Sequence, residues 1–163
     1  MATKTDNSQI GLDTIDRKLL RELQRNSKIT NAELAKLVNL SPTPCLERVK
    51  RLQEQGYIER YTAILNPDKL GYNLLAFIEI TLDRTNRNVF DEFAVFVKQI
   101  DAIQECHMIA GGFDYLVKAR FKTMKEYRQF LGTTFGNHPA ILSTKTYVVM
   151  ESVKENSPLA IVK

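Results

Sequence analysis

The sequence predicts an α+β protein with an N-terminal winged helix-turn-helix domain and a C-terminal ferredoxin-like βαββαβ domain. The first observation is a run of short segments whose apolar residues recur at helical spacing. A stretch in which apolar and polar residues alternate, as in a strand, follows them. The second is the order of the patterns beyond it, which reads as two strand–helix–strand halves.

The changes of pattern along the chain give the expected domain boundaries. Asn-Pro and Gly in the stretch NPDKLGYN are typical of a linker between the halves. We therefore expect, in chain order, a flexible tail (1–11), the helix-turn-helix domain (12–61), a strand and linker (62–73), a ferredoxin-like domain (74–153) and a C-terminal tail (154–163).

The first two helices are predicted from spacing and capping signals. LDTIDRKLLRELQRN has its leucines and isoleucine at helical spacing, and Asp13 or Asp16 favours its N-terminus. NAELAKLV is a shorter helix, with Leu34, Leu37 and Val38 expected on its inner face. Thr30 and Glu33 have the spacing of a capping box.

The stretch SPTPCLERVKRLQEQG predicts a third helix with a sharply fixed start. Proline is tolerated in a first helical turn because the N–H that it lacks has no partner there. Ser41 is a suitable N-cap and Gly56 a suitable C-terminal glycine. An apolar face of Cys45, Val49 and Leu52, with Leu46 beside them, is expected to pack inward, which leaves a polar face with basic residues outside. The alternating stretch YIERYTAIL after it is of strand type.

The second half predicts an antiparallel four-stranded sheet with two helices. The strand patterns are LLAFIEITL, IQECHMIAG, FDYLVKARF and STKTYVVMESV, and the helix patterns are NVFDEFAVFVKQI and MKEYRQFLGTTF. In a ferredoxin-like fold the helices cover one face of the sheet. Apolar residues on both faces suggest that a second subunit covers the other face.

Charge and composition limit the class of protein. The formal net charge is +4, and most of the excess lies before residue 66, where 11 Lys and Arg stand against 8 Asp and Glu, +3. This mildly basic half is compatible with binding nucleic acid. We see neither a signal peptide nor a membrane-spanning run, and two distant cysteines indicate a reduced compartment. The expected location is the cytoplasm.

The chain resembles the Lrp/AsnC (feast/famine) family of transcriptional regulators from about Leu12 to Val153. LDTIDRKLLRELQRNSKITNAELAKLVNLSPTPCLERVKRL is similar to the family's DNA-binding half, and IQECHMIAGGFDYLVKAR and TKTYVVMESVK are similar to its amino-acid-sensing (RAM) half. The resemblance implies a regulator that dimerises through its sheet domain and assembles into octamers or larger discs. It also implies pseudo-palindromic DNA sites and modulation by a small apolar amino acid, leucine first and methionine second, bound between sensor domains.

The third helix carries the expected DNA contacts. Arg suits a bidentate contact with guanine, and Glu can accept from cytosine N4; the alternative for Glu47 is an ion pair with Arg51. Phosphate contacts position the protein without reading sequence, and the alternative for Ser41 is capping alone. The expected base contacts are Thr43, Glu47, Arg48 and Arg51, and the expected phosphate contacts are Asn31, Ser41 and Lys50.

The effector site is expected from the resemblance at the turn from Gly111 to Asp114, which matches the family's G-x-x-D turn. Backbone N–H groups at Gly111 and Gly112 could hold a carboxylate, and Asp114 an ammonium group; the alternative is a hairpin turn with Asp114 as its local hydrogen-bonding residue. Residues that could line the side-chain pocket, or instead belong to the core or an interface, are Met108, Met124, Thr134, Tyr147 and Val149.

Little in the sequence supports the hypothesis that this protein is an enzyme. Cys106 and His107 are adjacent on a predicted strand, so their side chains face opposite ways, and no spacing suits a metal or phosphate site. We therefore expect neither catalysis nor a cofactor or metal, only an amino-acid effector. The alternatives to a ligand-responsive regulator are an architectural DNA-wrapping protein with little ligand response, and a metabolic enzyme or its regulatory subunit.

Overall fold

The computed structural model describes residues 11–85 and 87–161. The flexible tail predicted for residues 1–11 lies outside these ranges except for Gly11. The described chain forms two compact units, one with the residues up to Ala63 together with those from Lys154 onward, and one with Ile64–Val153.

The first unit contains the predicted helices α1 (Thr14–Arg25), α2 (Asn31–Leu37) and α3 (Pro42–Glu54). Their buried faces form one core from Leu19, Leu20, Leu34, Ala35, Val38, Cys45 and Leu52. The inward placement predicted for Leu37 and Leu46 is wrong, because their side chains are 45% and 44% exposed. Each lies next to a residue that already occupies the inner face, Val38 and Cys45 respectively, and so is rotated toward solvent.

Local capping fixes both helices of the helix-turn-helix. Thr30 and Glu33 form the predicted capping box at the start of α2. Asn39 follows α2 with φ +58°, and the N–H of Leu40 donates to the carbonyl oxygen of Ala35 at 2.9 Å. This is a Schellman turn, in which Asn tolerates the left-handed conformation. It makes the chain reverse quickly enough for α3 to begin at Pro42.

The end of α3 is fixed in the same way. Gly56 has φ +76°, and the N–H groups of Gly56 and Tyr57 donate to the carbonyl oxygens of Gln53 and Leu52, both at 3.0 Å. The predicted glycine C-terminus is confirmed as a Schellman motif.

The strand predicted over 57–65, and within the region 62–73, is wrong. Residues 58–66 form neither helix nor strand, and a short 3₁₀ helix at Asp68–Leu70 follows. An alternating pattern becomes a strand only when a neighbouring strand accepts its backbone groups. None of the four strands in the described sheet comes from this segment.

The second unit has the predicted βαββαβ order. It consists of β1 (Leu74–Leu82), α4 (Val89–Val97), β2 (Ile103–Met108), β3 (Tyr115–Phe121), α5 (Met124–Phe130) and β4 (Ile141–Val148). A π-helical turn, Leu131–Phe135, extends α5. The strand order is β2-β3-β1-β4 with antiparallel neighbours, as the ferredoxin-like prediction requires.

Alternation along the strands separates the two faces of this sheet. Residues such as Ile78 and Val117 are fully buried beneath α4 and α5, where Phe93 and Phe130 pack against them. The residues between them on β1 and β3 point to the other face and are only partly buried. That face is polar in places, since Nζ of Lys118 lies 3.0 Å from Oε1 of Glu105.

Candidate nucleic-acid interface and effector site

The outward face of α3 presents some of the predicted DNA-contacting residues. Thr43, Glu47 and Lys50 are exposed, whereas Cys45 and Leu52 on the opposite side are fully buried. A helix that is anchored on one side and polar on the other can insert its outer face into the major groove of DNA.

Arg48 and Arg51 have a different placement from Lys50. The guanidinium of Arg48 donates from Nη1 to Oδ2 of Asp13 and, at 2.9 Å, to Oδ1 of Asp16. Nη2 of Arg51 donates to Oδ2 of Asp16 at 2.6 Å. The Asp16 side chain is 3% exposed, against 27% for Arg48 and 35% for Arg51. Both predicted base-contacting arginines are thus bound to the start of α1.

The same contacts change the acidity of the groups involved. The pKa of Asp13 is lowered, chiefly because its carboxylate accepts from the backbone N–H of Asp16 and then because of the nearby guanidinium of Arg48. The pKa of Arg48 is raised by its hydrogen bonds to Asp13 and Asp16. Asp13 is at the same time the N-cap of α1 and forms a capping box with Asp16.

The remaining predicted DNA contacts lie at the start of the helix-turn-helix. Ser41 is exposed and occupies the N-cap position of α3, but its side chain makes no capping hydrogen bond. Nδ2 of Asn31 donates to the carbonyl oxygen of Pro42 at 2.8 Å and so ties the start of α2 to the first turn of α3. Glu47 and Arg51 form no ion pair with each other, since Arg51 is paired with Asp16.

The predicted effector turn connects β2 to β3. Gly111 and Gly112 are exposed, and their N–H groups make no backbone hydrogen bond within the described part of the chain. The N–H of Ile109 donates to the carbonyl oxygen of Asp114 at 2.8 Å and closes the turn. Exposed backbone N–H groups in a turn can donate hydrogen bonds to an anion such as a carboxylate.

Asp114 is the most enclosed member of the predicted effector set, with 3% exposure. Its Oδ2 accepts from the backbone N–H of Leu82 at 2.8 Å, and its Oδ1 accepts from Nη2 of Arg84. The local-turn alternative is therefore not what the structure shows, because Asp114 links the turn to the end of β1. Sequence spacing gave no sign of Arg84, which lies 30 residues away.

The other predicted effector residues are spread over the sheet unit. Met108, Met124 and Tyr147 are 62%, 53% and 43% exposed, and Val149 and Thr134 are partly buried. Oη of Tyr147 donates to Oε1 of Glu79 at 2.9 Å.

Strand register and one backbone hydrogen bond place three of these residues along the sheet. Met108 pairs with Tyr115, and Tyr115 pairs with Ile80, which places the Gly111–Asp114 turn at that end of the sheet. Tyr147 pairs with Phe77, and the N–H of Val149 donates to the carbonyl oxygen of Leu75. Leu75 and Ile80 are separated by five steps of β1, or about 17 Å at a rise of about 3.4 Å per residue. Val149 is therefore distant from the Gly111–Asp114 turn within one chain, whereas Oη of Tyr147 reaches Glu79, next to Ile80.

The groups considered for catalysis are separated as well. Cys106 packs against the helix-covered core, whereas His107 is exposed. His138 packs on the ring of Phe96 at 4.3 Å between centroids, and its Nδ1 accepts from the N–H of Ala140 at 3.3 Å. Among the described residues, no group of His, Cys, Asp and Glu is arranged to hold a metal ion. No described helix is long and apolar enough to span a membrane.

Comparisons with known proteins agree with this two-unit organisation. Residues 12–59 match the family model for a winged helix-turn-helix DNA-binding domain, and residues 75–159 match the model for the Lrp/AsnC ligand-binding domain. The chain is 53% identical over 150 residues to the leucine-responsive regulatory proteins of Salmonella typhimurium and Escherichia coli, covering 92% of this chain and of each relative.

Solved structures give the same result for the fold. A Neisseria meningitidis transcriptional regulator in complex with L-Met has a TM-score of 0.87 and 32% identity, covering 92% of this chain and 98% of that chain. An AsnC family regulator from Agrobacterium tumefaciens has a TM-score of 0.86 and 30% identity, covering 91% of this chain and 96% of that chain. With a DNA-binding helix-turn-helix and an amino-acid-binding sheet domain on one chain, this protein belongs to the Lrp/AsnC family of transcriptional regulators.

Proposed function

We propose that this regulator controls genes of amino-acid metabolism in response to leucine, with methionine as the second candidate effector. The observation that carries the proposal is the presence on one chain of an outward-facing recognition helix, α3, and of an exposed glycine turn with free backbone N–H groups in a ligand-binding domain. Support for the effector comes from the name of the 53% identical relatives and from the L-Met bound to the Neisseria meningitidis regulator.

For DNA, we propose that Thr43 and Glu47 meet base edges and that Ser41 and Lys50 meet phosphates. All four residues are exposed along the first turns of α3. Asn31 would hold this surface in position, because its side-chain amide donates to the carbonyl oxygen of Pro42 in the first turn of α3.

For the effector, we propose a site completed by two copies of the chain. The Gly111–Asp114 turn would bind the amino and carboxylate groups of the amino acid. Val149, near the opposite end of the sheet, would come from a neighbouring copy, together with Met124 and Tyr147. The separation of Val149 from the turn along β1 supports this arrangement. The carboxylate of Asp114 is already bound by Leu82 and Arg84. We therefore take the exposed N–H groups of the turn, which would bind the carboxylate of the amino acid, as the main anchor of the site.

The same argument supports homo-oligomerisation through the sheet domain into dimers and then into octamers or larger assemblies. Several large apolar side chains of β4 and the segment after it are exposed in the single chain, namely Leu142, Val148 and Met150. A purely architectural role is not favoured, because the chain carries a ligand-binding domain in addition to its DNA-binding domain. The proposed location is the cytoplasm, at the nucleoid, where such a regulator meets its DNA.

The test combines sedimentation velocity with DNA binding by fluorescence anisotropy, on a site selected from a random-sequence pool. Both are measured without ligand and with L-leucine, L-methionine or D-leucine, the last as the control with the same side chain. The proposal expects L-leucine to shift the assembly or to change the DNA dissociation constant several-fold, with D-leucine inactive. If the species and its affinity stay the same with every amino acid, the sensing role fails and the architectural alternative takes its place.

A further inference from the structure

A compact charge cluster joins the first helix to the recognition helix. Asp16 is buried on α1, and its two carboxylate oxygens accept from different arginines of α3, Oδ1 from Arg48 and Oδ2 from Arg51. Arg48 bridges further to Asp13. Two carboxylates and two guanidinium groups therefore balance each other in charge.

Hydrogen bonds constrain α3 in a way that its apolar contacts do not. Cys45 and Leu52 are buried against the core, but apolar contacts are non-directional and tolerate a small rotation of the helix about its axis. Charge-assisted hydrogen bonds are short and directional. With Arg48 and Arg51 three residues apart and both bound to Asp16, the rotation of α3 about its own axis is fixed.

The cluster also leaves these arginines only partly exposed, at 27% for Arg48 and 35% for Arg51. Nε of Arg51 is buried and has no hydrogen-bond partner in the described chain. Lys50, between the two arginines in sequence, is instead exposed.

We propose that Asp16 is a positioning residue for DNA recognition, and that Arg48 and Arg51 act through it to orient the recognition helix rather than by contacting DNA. The proposal rests on DNA binding through α3. It reassigns two residues for which the sequence predicted base contacts, and it names an acidic residue of another helix as a determinant of specificity.

The first experiment uses Asp16→Asn, for which the loss of charge and the loss of positioning predict opposite changes in DNA affinity. Removing a negative charge from a DNA-binding domain by itself favours DNA binding. Loss of positioning instead weakens binding to the selected site, by roughly tenfold or more if one buried charged hydrogen bond is lost, while binding to random-sequence DNA is unchanged or tighter. The measured quantity is the ratio of the two dissociation constants for the full-length protein.

The matched control is Glu22→Gln, which removes one negative charge from the same helix. Glu22 pairs with Arg25 and not with α3, so its substitution leaves the specificity ratio unchanged. An Asp16→Asn protein that binds the selected site as tightly as the wild type overturns the proposal.

The second experiment separates orientation from phosphate contact by salt dependence. The slope of log K against log salt is negative, and each lost phosphate contact reduces its magnitude by about 0.9. Lys50→Gln is expected to show this reduction in the salt dependence. Arg48→Lys and Arg51→Lys keep the positive charge but lose the planar guanidinium, and they are expected to reduce the specificity ratio. Arg48→Gln and Arg51→Gln are expected to weaken selected-site binding while leaving the slope of random-sequence binding unchanged.

The Lys and Gln variants of Arg48 and Arg51 keep the proposal falsifiable if Asp16→Asn does not fold. If the magnitude of the slope decreases by about 0.9 for each arginine replaced by Gln, these arginines contact phosphates and the proposal is overturned. An unchanged specificity ratio in both Lys variants also overturns it. A wild-type protein that fails to prefer its selected site would instead contradict sequence-specific DNA binding itself, so the two failures are distinguishable.

Discussion

Gln24 and Leu159 lie 135 residues apart in the chain and exchange two hydrogen bonds. The N–H of Leu159 donates to Oε1 of Gln24 at 2.8 Å, and Nε2 of Gln24 donates to the carbonyl oxygen of Leu159 at 3.3 Å. Ile161 packs against the core of the helical unit beside this contact. The C-terminal segment, expected from sequence to be a tail, is thus part of the DNA-binding unit.

Replacing Gln24 should therefore destabilise the helical unit. Gln24→Ala removes both hydrogen bonds and is expected to lower the free energy of unfolding of this unit by about 1 kcal/mol, because both bonds are exposed. Urea unfolding followed by circular dichroism measures the change. Gln24→Glu keeps the acceptor for the Leu159 N–H and should lose less. Equal midpoints for Gln24→Ala and the wild type would show that the segment is not held in solution.

The turn after α3 should be sensitive to the loss of glycine. Gly56 has φ +76°, and a Cβ there would meet no atom within 4 Å, so backbone conformation alone decides the cost. Gly56→Ala is expected to lower the free energy of unfolding by about 1–2 kcal/mol. Gly112→Ala is the control, because Gly112 also has open space around it but no positive φ. Calorimetry of both variants gives the comparison, and a similar cost for both would contradict the conformational explanation.

His138 should make the sheet unit less stable at mildly acidic pH. Burial against Phe96 and Phe93 lowers the pKa of His138 below its ordinary value of 6.5, although Glu92 opposes the shift. Since the folded state binds this proton less readily than the unfolded state, the contribution is fully present above pH 6.5 and is lost as the pH falls from 6.5 toward the folded pKa.

The measurement for His138 is the free energy of unfolding between pH 8 and pH 5, with His138→Phe as the variant. The slope assigned to His138 should disappear in that variant, and His107→Phe is the control because His107 is exposed. If the wild-type and His138→Phe curves run parallel, the packing of this ring does not control its protonation.

Asp114 should be important for the stability of the sheet unit, independently of any ligand. Asp114→Asn keeps an acceptor for the Leu82 N–H but loses the charged partner of Arg84, and the expected cost is about 1.5–3 kcal/mol because the carboxylate is buried. Arg84→Ala should cost less, since the Arg84 side chain is 67% exposed. Chemical unfolding without amino acid checks both; a variant as stable as the wild type would assign Asp114 to the ligand alone.

The sequence by itself determined the features that depend on neighbouring residues. The Thr30–Glu33 capping box, the start of α3 at Pro42 and its end at Gly56 all follow from contacts within a few residues. The βαββαβ order follows equally from periodicity, because a strand and a helix bury different sets of positions. These signals are local, so one sequence suffices to find them.

Tertiary structure decided what depends on distant partners. Residues 57–65 alternate like a strand but pair with no strand of the described sheet. Leu37 and Leu46 are exposed because the inner positions beside them were already filled. Arg48 and Arg51 lie on the basic side of α3, yet Asp16, more than 30 residues earlier, binds both. Asp114 likewise finds Leu82 and Arg84 across the fold. Which charges meet is set by packing, because a buried carboxylate is stable only where the fold supplies its donors.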